Sequence, residues 1–160
     1  MPVRFSGHLF RRIRAKLSAG TYRRKIVSAV ILPRSAACCG GRLELQLPAD
    51  FRVRSHEADK TVFSGSKSGL RLTVMQMPFS ARLFRLRAEE LAGVVPQAGG
   101  ALPRLRRGFL RRSPTLTARW ENAVLHLIQV RGTLYLLLMT DITPQNGETV
   151  QPVIDSVRFR

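Results

Sequence analysis

The sequence predicts an α+β fold in which antiparallel strands carry helices packed on their faces. Three observations lead there. From Leu43 onward most apolar residues alternate with polar ones, the period of a half-buried strand. Two stretches break that alternation with helical spacing, and each follows a group of strands, an order of strands, helix, strands, helix that suits an α+β sandwich. Finally, residues 43–160 contain no cysteine, so a packed core rather than disulfides must hold them.

The elements follow in chain order. In "LELQL" Leu43, Leu45 and Leu47 share one face, Glu44 and Gln46 take the other, and Pro48 stops the strand. "FRVRS" alternates again, and "KTVFSG" ends at Gly65. "LRLTVMQMP", Leu70 to Pro78, is a longer strand with Leu70, Leu72 and Val74 opposite Arg71, Thr73, Met75 and Met77. "RLRAEELAGVV" then places Ala88, Leu91, Ala92 and Val95 at i, i+3, i+4 and i+7, a helix closed by Pro96 and the Gly99–Gly100 pair. After the basic stretch "PRLRRGFLRRSP" come three strands, "TLTARWEN", "AVLHLIQV" and "LYLLLMTD". "QVRGTLY" reads as a hairpin with Gly132 where positive φ is needed. Its second arm is apolar on both faces, which predicts a central strand covered on both sides. "ETVQPVIDSV" sets Val150, Val153, Ile154 and Val157 at helical spacing, with Pro152 tolerated only in the first turn.

Charge divides the chain. The 160 residues carry a net charge of +17, yet residues 1–42 hold ten Lys or Arg and no acid, while residues 43–160 hold seventeen basic and ten acidic side chains. That asymmetry predicts a basic amino-terminal targeting or disordered segment, residues 1–42, ahead of one domain, residues 43–160. Several readings of the segment compete. "RRKIVSAVILPRSAAC" can be read as a short export signal ending at Cys38, the residue that would carry a lipid. The Arg-rich, acid-free run with Phe5, Leu9, Ile13 and Leu17 spaced by four also suits an organellar transit peptide. A basic arm for nucleic acid or anionic lipid is a third reading, and an overlong start with no structure of its own a fourth. No stretch has the roughly 18 apolar residues that a transmembrane helix requires.

Several phrases together resemble one family. "LELQLPADF" is similar to the opening strand, proline, turn and Phe of PsbP-like domains, "GLRLTVMQMP" to their next long strand, "RGTLYLLLMTD" to their central hairpin, and "VIDSVRF" to their closing helix. Residues 43–160 thus resemble the PsbP-like superfamily, in the manner of its DcrB-like bacterial lipoproteins. The resemblance implies a curved antiparallel sheet flanked by helices, an α/β/α sandwich. It also implies a binding or assembly role without catalysis, an exported or membrane-anchored location at the cell envelope, and no cofactor.

The remaining candidates are few. Glu89 and Glu90 are consecutive on a helix, about 100° apart, and cannot face one substrate together. No GxSxG elbow or Walker loop is present. His56 with Glu57 and Asp59 reads as a solvated turn before it reads as a weak site for a hard cation. His126 shares a strand face with Val124, Ile128 and Val130 and is expected as a hydrogen-bonded core or edge histidine. The most specific feature is Arg104, Arg106, Arg107, Phe109, Arg111 and Arg112, five arginines within nine residues around an apolar insert. Such a stretch suits contact with an anionic surface, or a solvated loop whose arginines meet nearby acids, and Arg82, Arg85 and Arg87 extend it. The expected function is therefore a monomeric, non-enzymatic protein, without metal or cofactor, that binds an as yet unidentified protein partner and also meets an anionic membrane surface. The alternative is an intracellular or organellar protein that binds nucleic acid or anionic lipid through residues 1–34 and 104–112.

Overall fold

The computed structural model describes residues 35–160 and, ahead of them, Ile13. Within residues 35–160, ten strands and two short α-helices run in the order β1 (Ser35–Cys38), β2 (Leu43–Gln46), β3 (Phe51–His56), β4 (Lys60–Gly65), β5 (Arg71–Pro78), α1 (Ala88–Leu91), β6 (Arg104–Leu110), β7 (Ser113–Arg119), β8 (Val124–Val130), β9 (Thr133–Thr140), α2 (Val150–Asp155) and β10 (Arg158–Phe159). Seven strands form one antiparallel sheet, ordered β3-β4-β5-β9-β8-β7-β6. β1, β2 and β10 form a second, small antiparallel sheet.

The large sheet has a core on each face because its central strands are apolar on both. β9 lies in the middle, between β5 and β8, where its two-sided apolar sequence requires it to be. Tyr135, Leu137 and Met139 join the first core with Leu72 and Val74 of β5, covered by Leu43 and Leu45 of β2 and by Val150, Val153 and Ile154 of α2. Leu134, Leu136 and Leu138 join the second core with Met75, Leu125 and Leu127. Its cover is the β5–β6 connection, through Phe79, Leu83, Leu86, Leu91, Val94 and Val95, together with Ile13, which is helical and 0% exposed. The β8–β9 hairpin closes through Arg131 and Gly132, with φ of 47° and 78°. Both values are left-handed, as a two-residue turn matched to strand twist requires, and Gly132 adopts its value without steric cost.

Three expectations change. Among the described residues the fold is mostly antiparallel sheet, and the helices of residues 35–160 are too short to make full flanking layers. The stretch read as one helix from Arg85 to Val95 is α1 alone, four residues, between 3₁₀ turns at Leu83–Arg85 and Pro96–Ala98. Gly93 and the β-branched pair Val94–Val95 disfavour its continuation, and packing on the sheet is satisfied by irregular chain. The basic stretch is a strand, β6, hydrogen-bonded along its length to β7. Regular structure also begins earlier than Leu43: β1 pairs with β2 from Ser35↔Gln46 to Cys38↔Leu43 across a turn of Cys39, Gly40, Gly41 and Arg42. The amphipathic stripe of Phe5, Leu9 and Leu17 lies outside the described residues, apart from its member Ile13.

Candidate functional site

Among the described residues β6 is an edge strand, so its outer backbone groups have no strand partner there, and residues on both of its faces are partly or fully exposed. Pairing to β7 fixes which way each one points. Leu105, Arg107 and Phe109 alternate onto the face of the second core, while Arg104, Arg106, Gly108 and Leu110 face the first. Arg111 and Arg112 make the turn into β7, Arg111 with a φ of 58°. The six residues picked out by sequence are therefore divided between two faces and a turn, and do not form one patch.

On the second-core side Phe109 is 67% exposed and stacks edge-on against Phe84, which is 36% exposed, at 5.4 Å between ring centroids. Arg107 has a fixed place beneath them. Its Nε donates to the Phe84 carbonyl at 3.1 Å and its Nη2 to the Leu86 carbonyl at 2.8 Å. It is a strap that ties β6 to the β5–β6 connection, and its guanidinium is occupied. Arg82, Arg85 and Arg87 are exposed on that connection, within three residues of Phe84 in sequence, and Arg111 and Arg112 are exposed at the turn that follows Phe109 by two residues. Sequence reading located the arginines and Phe109 but missed Phe84. The "FSARLF" run before it has no periodicity that marks a surface aromatic.

The other side of the same hairpin is concave. Between β6, β7, β8 and α2 lies a groove of about 240 Å³ whose lining includes Arg106, Thr117, Arg119, His126, Gln151 and Asp155. His126 is 7% exposed, and its Nδ1 lies 2.8 Å from the Thr117 hydroxyl. Burial pushes its pKa down to about 4, with Arg119 adding to the effect and Asp155 opposing it. Arg119 donates to Gln151, whose Nε2 donates to Asp155 at 2.8 Å. A larger cleft of about 510 Å³ beside Trp120 and Ile142 offers one charged group, Glu121, and no converging set of donors.

The remaining candidates have local roles. His56 Nδ1 lies 2.9 Å from the Thr61 hydroxyl, and the turn after it closes through backbone bonds between Glu57 and Lys60. Glu90 accepts the backbone N–H of Arg87 at 2.9 Å, capping α1. Among the described residues no group of three or more His, Cys, Asp or Glu side chains gathers to hold a metal. Cys38 is 1% exposed in β1, packed in the first core. Burial, with Cys39 beside it, pushes its thiol up to about 12, and burial pushes Cys39 up to about 11. Cys38 is the last residue of β1, so a chain that begins at Cys38 would lack the other three residues of that strand.

No family model matches the sequence, and no curated protein matches it. Solved structures do. The chain is similar to cyanobacterial PsbP (CyanoP) from Synechocystis sp. PCC 6803, with a TM-score of 0.60 at 13% identity, over 84% of this chain and 96% of that one. It is also similar to a Bacteroides thetaiotaomicron VPI-5482 protein, with a TM-score of 0.50 at 11% identity, over 82% of this chain but 48% of that one. The fold is PsbP-like.

Proposed function

We propose that this PsbP-like domain is a non-enzymatic binding or assembly protein that acts through protein–protein contacts, with the β6 edge as its docking surface. The observation that carries the proposal is the exposed Phe84–Phe109 pair, flanked in sequence by exposed arginines. Aromatic and arginine side chains dominate interface energetics, and adjacent exposed aromatics are a solvation cost that a partner relieves. The partner's surface is expected to be acidic around an apolar pocket, by complementarity with Arg85, Arg111 and Arg112. Arginines along an edge strand also discourage indiscriminate strand addition, which favours a side-chain-led contact over simple sheet extension. Export to the cell envelope is part of the proposal and rests on the resemblance alone; no described helix is long and apolar enough to cross a membrane. Packing of Ile13 and Cys38 supports a chain that keeps its amino-terminal segment and carries no lipid at Cys38.

Nucleic acid or an anionic membrane remains the second reading because of the charge. The aromatic pair is stacked on itself, not spaced as successive platforms for bases, which favours protein. A photoreactive amino acid at Phe109 of the full chain, irradiated in the native host, tests the proposal. One protein is expected to cross-link from position 109 and not from position 52 on β3. Cross-links to nucleic acid or lipid, or equal yields from both positions, would overturn it.

A further inference from the structure

The groove on the first-core side of the β6–β7 hairpin has a composition that packing does not explain. Strand register aligns Arg106 with Thr117 and Thr117 with His126, so a guanidinium, a hydroxyl and an imidazole form one row across three neighbouring strands on one face. Neighbouring strands lie roughly 4.8 Å apart, so the three groups can converge on one small ligand. The next row adds Arg119, opposite Arg104. On the other face the same strands bury Leu116, Ala118 and Leu125, so the polar row is confined to the groove.

Each group has bonding capacity left. Arg106 has no hydrogen bond or ion pair among the described residues. His126 uses Nδ1 on Thr117, and its Nε2 has no partner among the described residues although the side chain is buried. Among the described residues the buried side-chain polar atom left without a partner is Gln76 Oε1, so His126 Nε2 opens to the solvent of the groove, where a ligand atom can meet it. Three arginines border the groove, Arg106, Arg107 and Arg119, against a single acid, Asp155, which is engaged by Gln151; Arg107 is committed to the Phe84 and Leu86 carbonyls. At about 240 Å³ the space is below the roughly 300–1,000 Å³ of sites for drug-sized molecules.

We infer that this groove binds a small oxyanion-bearing ligand, a carboxylate or a phosphate, with Arg106 and Arg119 holding the charge and His126 Nε2–H and Thr117 fixing its orientation. Guanidinium matches either oxyanion through paired N–H donors. Binding in this way requires the tautomer in which the Thr117 hydroxyl donates to Nδ1 and the proton stands on Nε2, free for the ligand. Gly108 keeps the space open. A Cβ there meets nothing nearer than the Thr115 hydroxyl at 3.5 Å, and its φ is not in the left-handed region, so a larger side chain fills the groove without backbone strain.

The test is titration of the full-length, histidine-labelled protein with inorganic phosphate and with succinate, each against chloride at matched ionic strength, reading the His126 ring nitrogens by NMR. A saturable His126 shift is expected with at least one probe, weakened at least tenfold in Arg106→Ala and in Gly108→Leu and unchanged in Phe109→Ala. A response to phosphate alone identifies a phosphate ligand, to succinate alone a carboxylate, and to both a general oxyanion site. No saturable shift beyond chloride, or a shift that survives Arg106→Ala, would overturn the inference. Arg106 is exposed, so its variant remains informative if Gly108→Leu fails to fold. Phe109 borders the groove, but its side chain alternates onto the opposite face, so failure here leaves the protein-docking proposal standing, and the reverse.

Discussion

Substitution of Ile13 by Ala asks whether a residue from the basic amino-terminal segment is part of the folded domain. Ile13 is 0% exposed and packs in the second core with Met75, Leu127 and Leu136. Ile→Ala removes three carbons, worth about 2.4 kcal/mol at about 0.8 kcal/mol per methylene. The cavity left behind brings such changes to about 2–5 kcal/mol in buried sites. With Tm moving about 2–4 °C per kcal/mol in a domain of this size, a loss near 3 kcal/mol lowers Tm by about 6–12 °C. Urea unfolding of the full chain, followed by Trp120 fluorescence, measures the free energy directly, and Leu102→Ala at a 61% exposed position is the control. A loss below about 0.5 kcal/mol for Ile13→Ala, equal to the control, would refute the packing and return residues 1–34 to the role of a dispensable leader.

Other expectations are simpler to check. His126 has a pKa depressed from 6.5 to about 4 in the folded state, so between those values the unfolded chain binds a proton that the native one does not. Stability therefore falls as pH drops through that window, by on the order of 3 kcal/mol in all; equilibrium unfolding from pH 7 to 4 should show the slope, and His126→Gln should flatten it. The thiols of Cys38 and Cys39, buried and shifted to about 12 and 11, should resist alkylation at pH 8 for hours and react within minutes in denaturant. Stoichiometric labelling of the native protein would contradict their placement. Arg107→Ala leaves the carbonyls of Phe84 and Leu86 without their donor and should cost about 1–3 kcal/mol, whereas Arg112→Ala at the turn should stay within about 0.5. Equal effects would mean that Arg107 is a surface cation like its neighbours.

What the sequence made legible was what local pattern decides. β2 to β5 and β7 to β9 announce themselves by alternation, and the two-sided run of β9 identified the sheet's centre. β6 did not, because arginines on both faces of an edge strand carry no apolar period and read as loop. β1 was hidden for a different reason: "SAAC" is too short and too small in side chain to show a period, and it exists because β2 offers a partner. The helix over Arg85–Val95 was overread, since apolar residues at helical spacing also suit an irregular segment whose contacts are tertiary. The groove is the least legible feature. His126 was recognised as a hydrogen-bonded strand residue, but its alignment with Arg106 depends on the register of three strands, which no local pattern contains.

The claim that the β6 edge is a protein-docking surface is tested most directly by the affinity of the partner captured from position 109, measured for the wild-type chain and Phe109→Ala at 50 and 200 mM salt. An arginine-flanked aromatic contact predicts at least a tenfold loss on Phe109→Ala and less than a tenfold loss across the salt range. No change on Phe109→Ala, with a loss of about a thousandfold between the two salt concentrations, is the behaviour of phosphate-backbone binding and would contradict it.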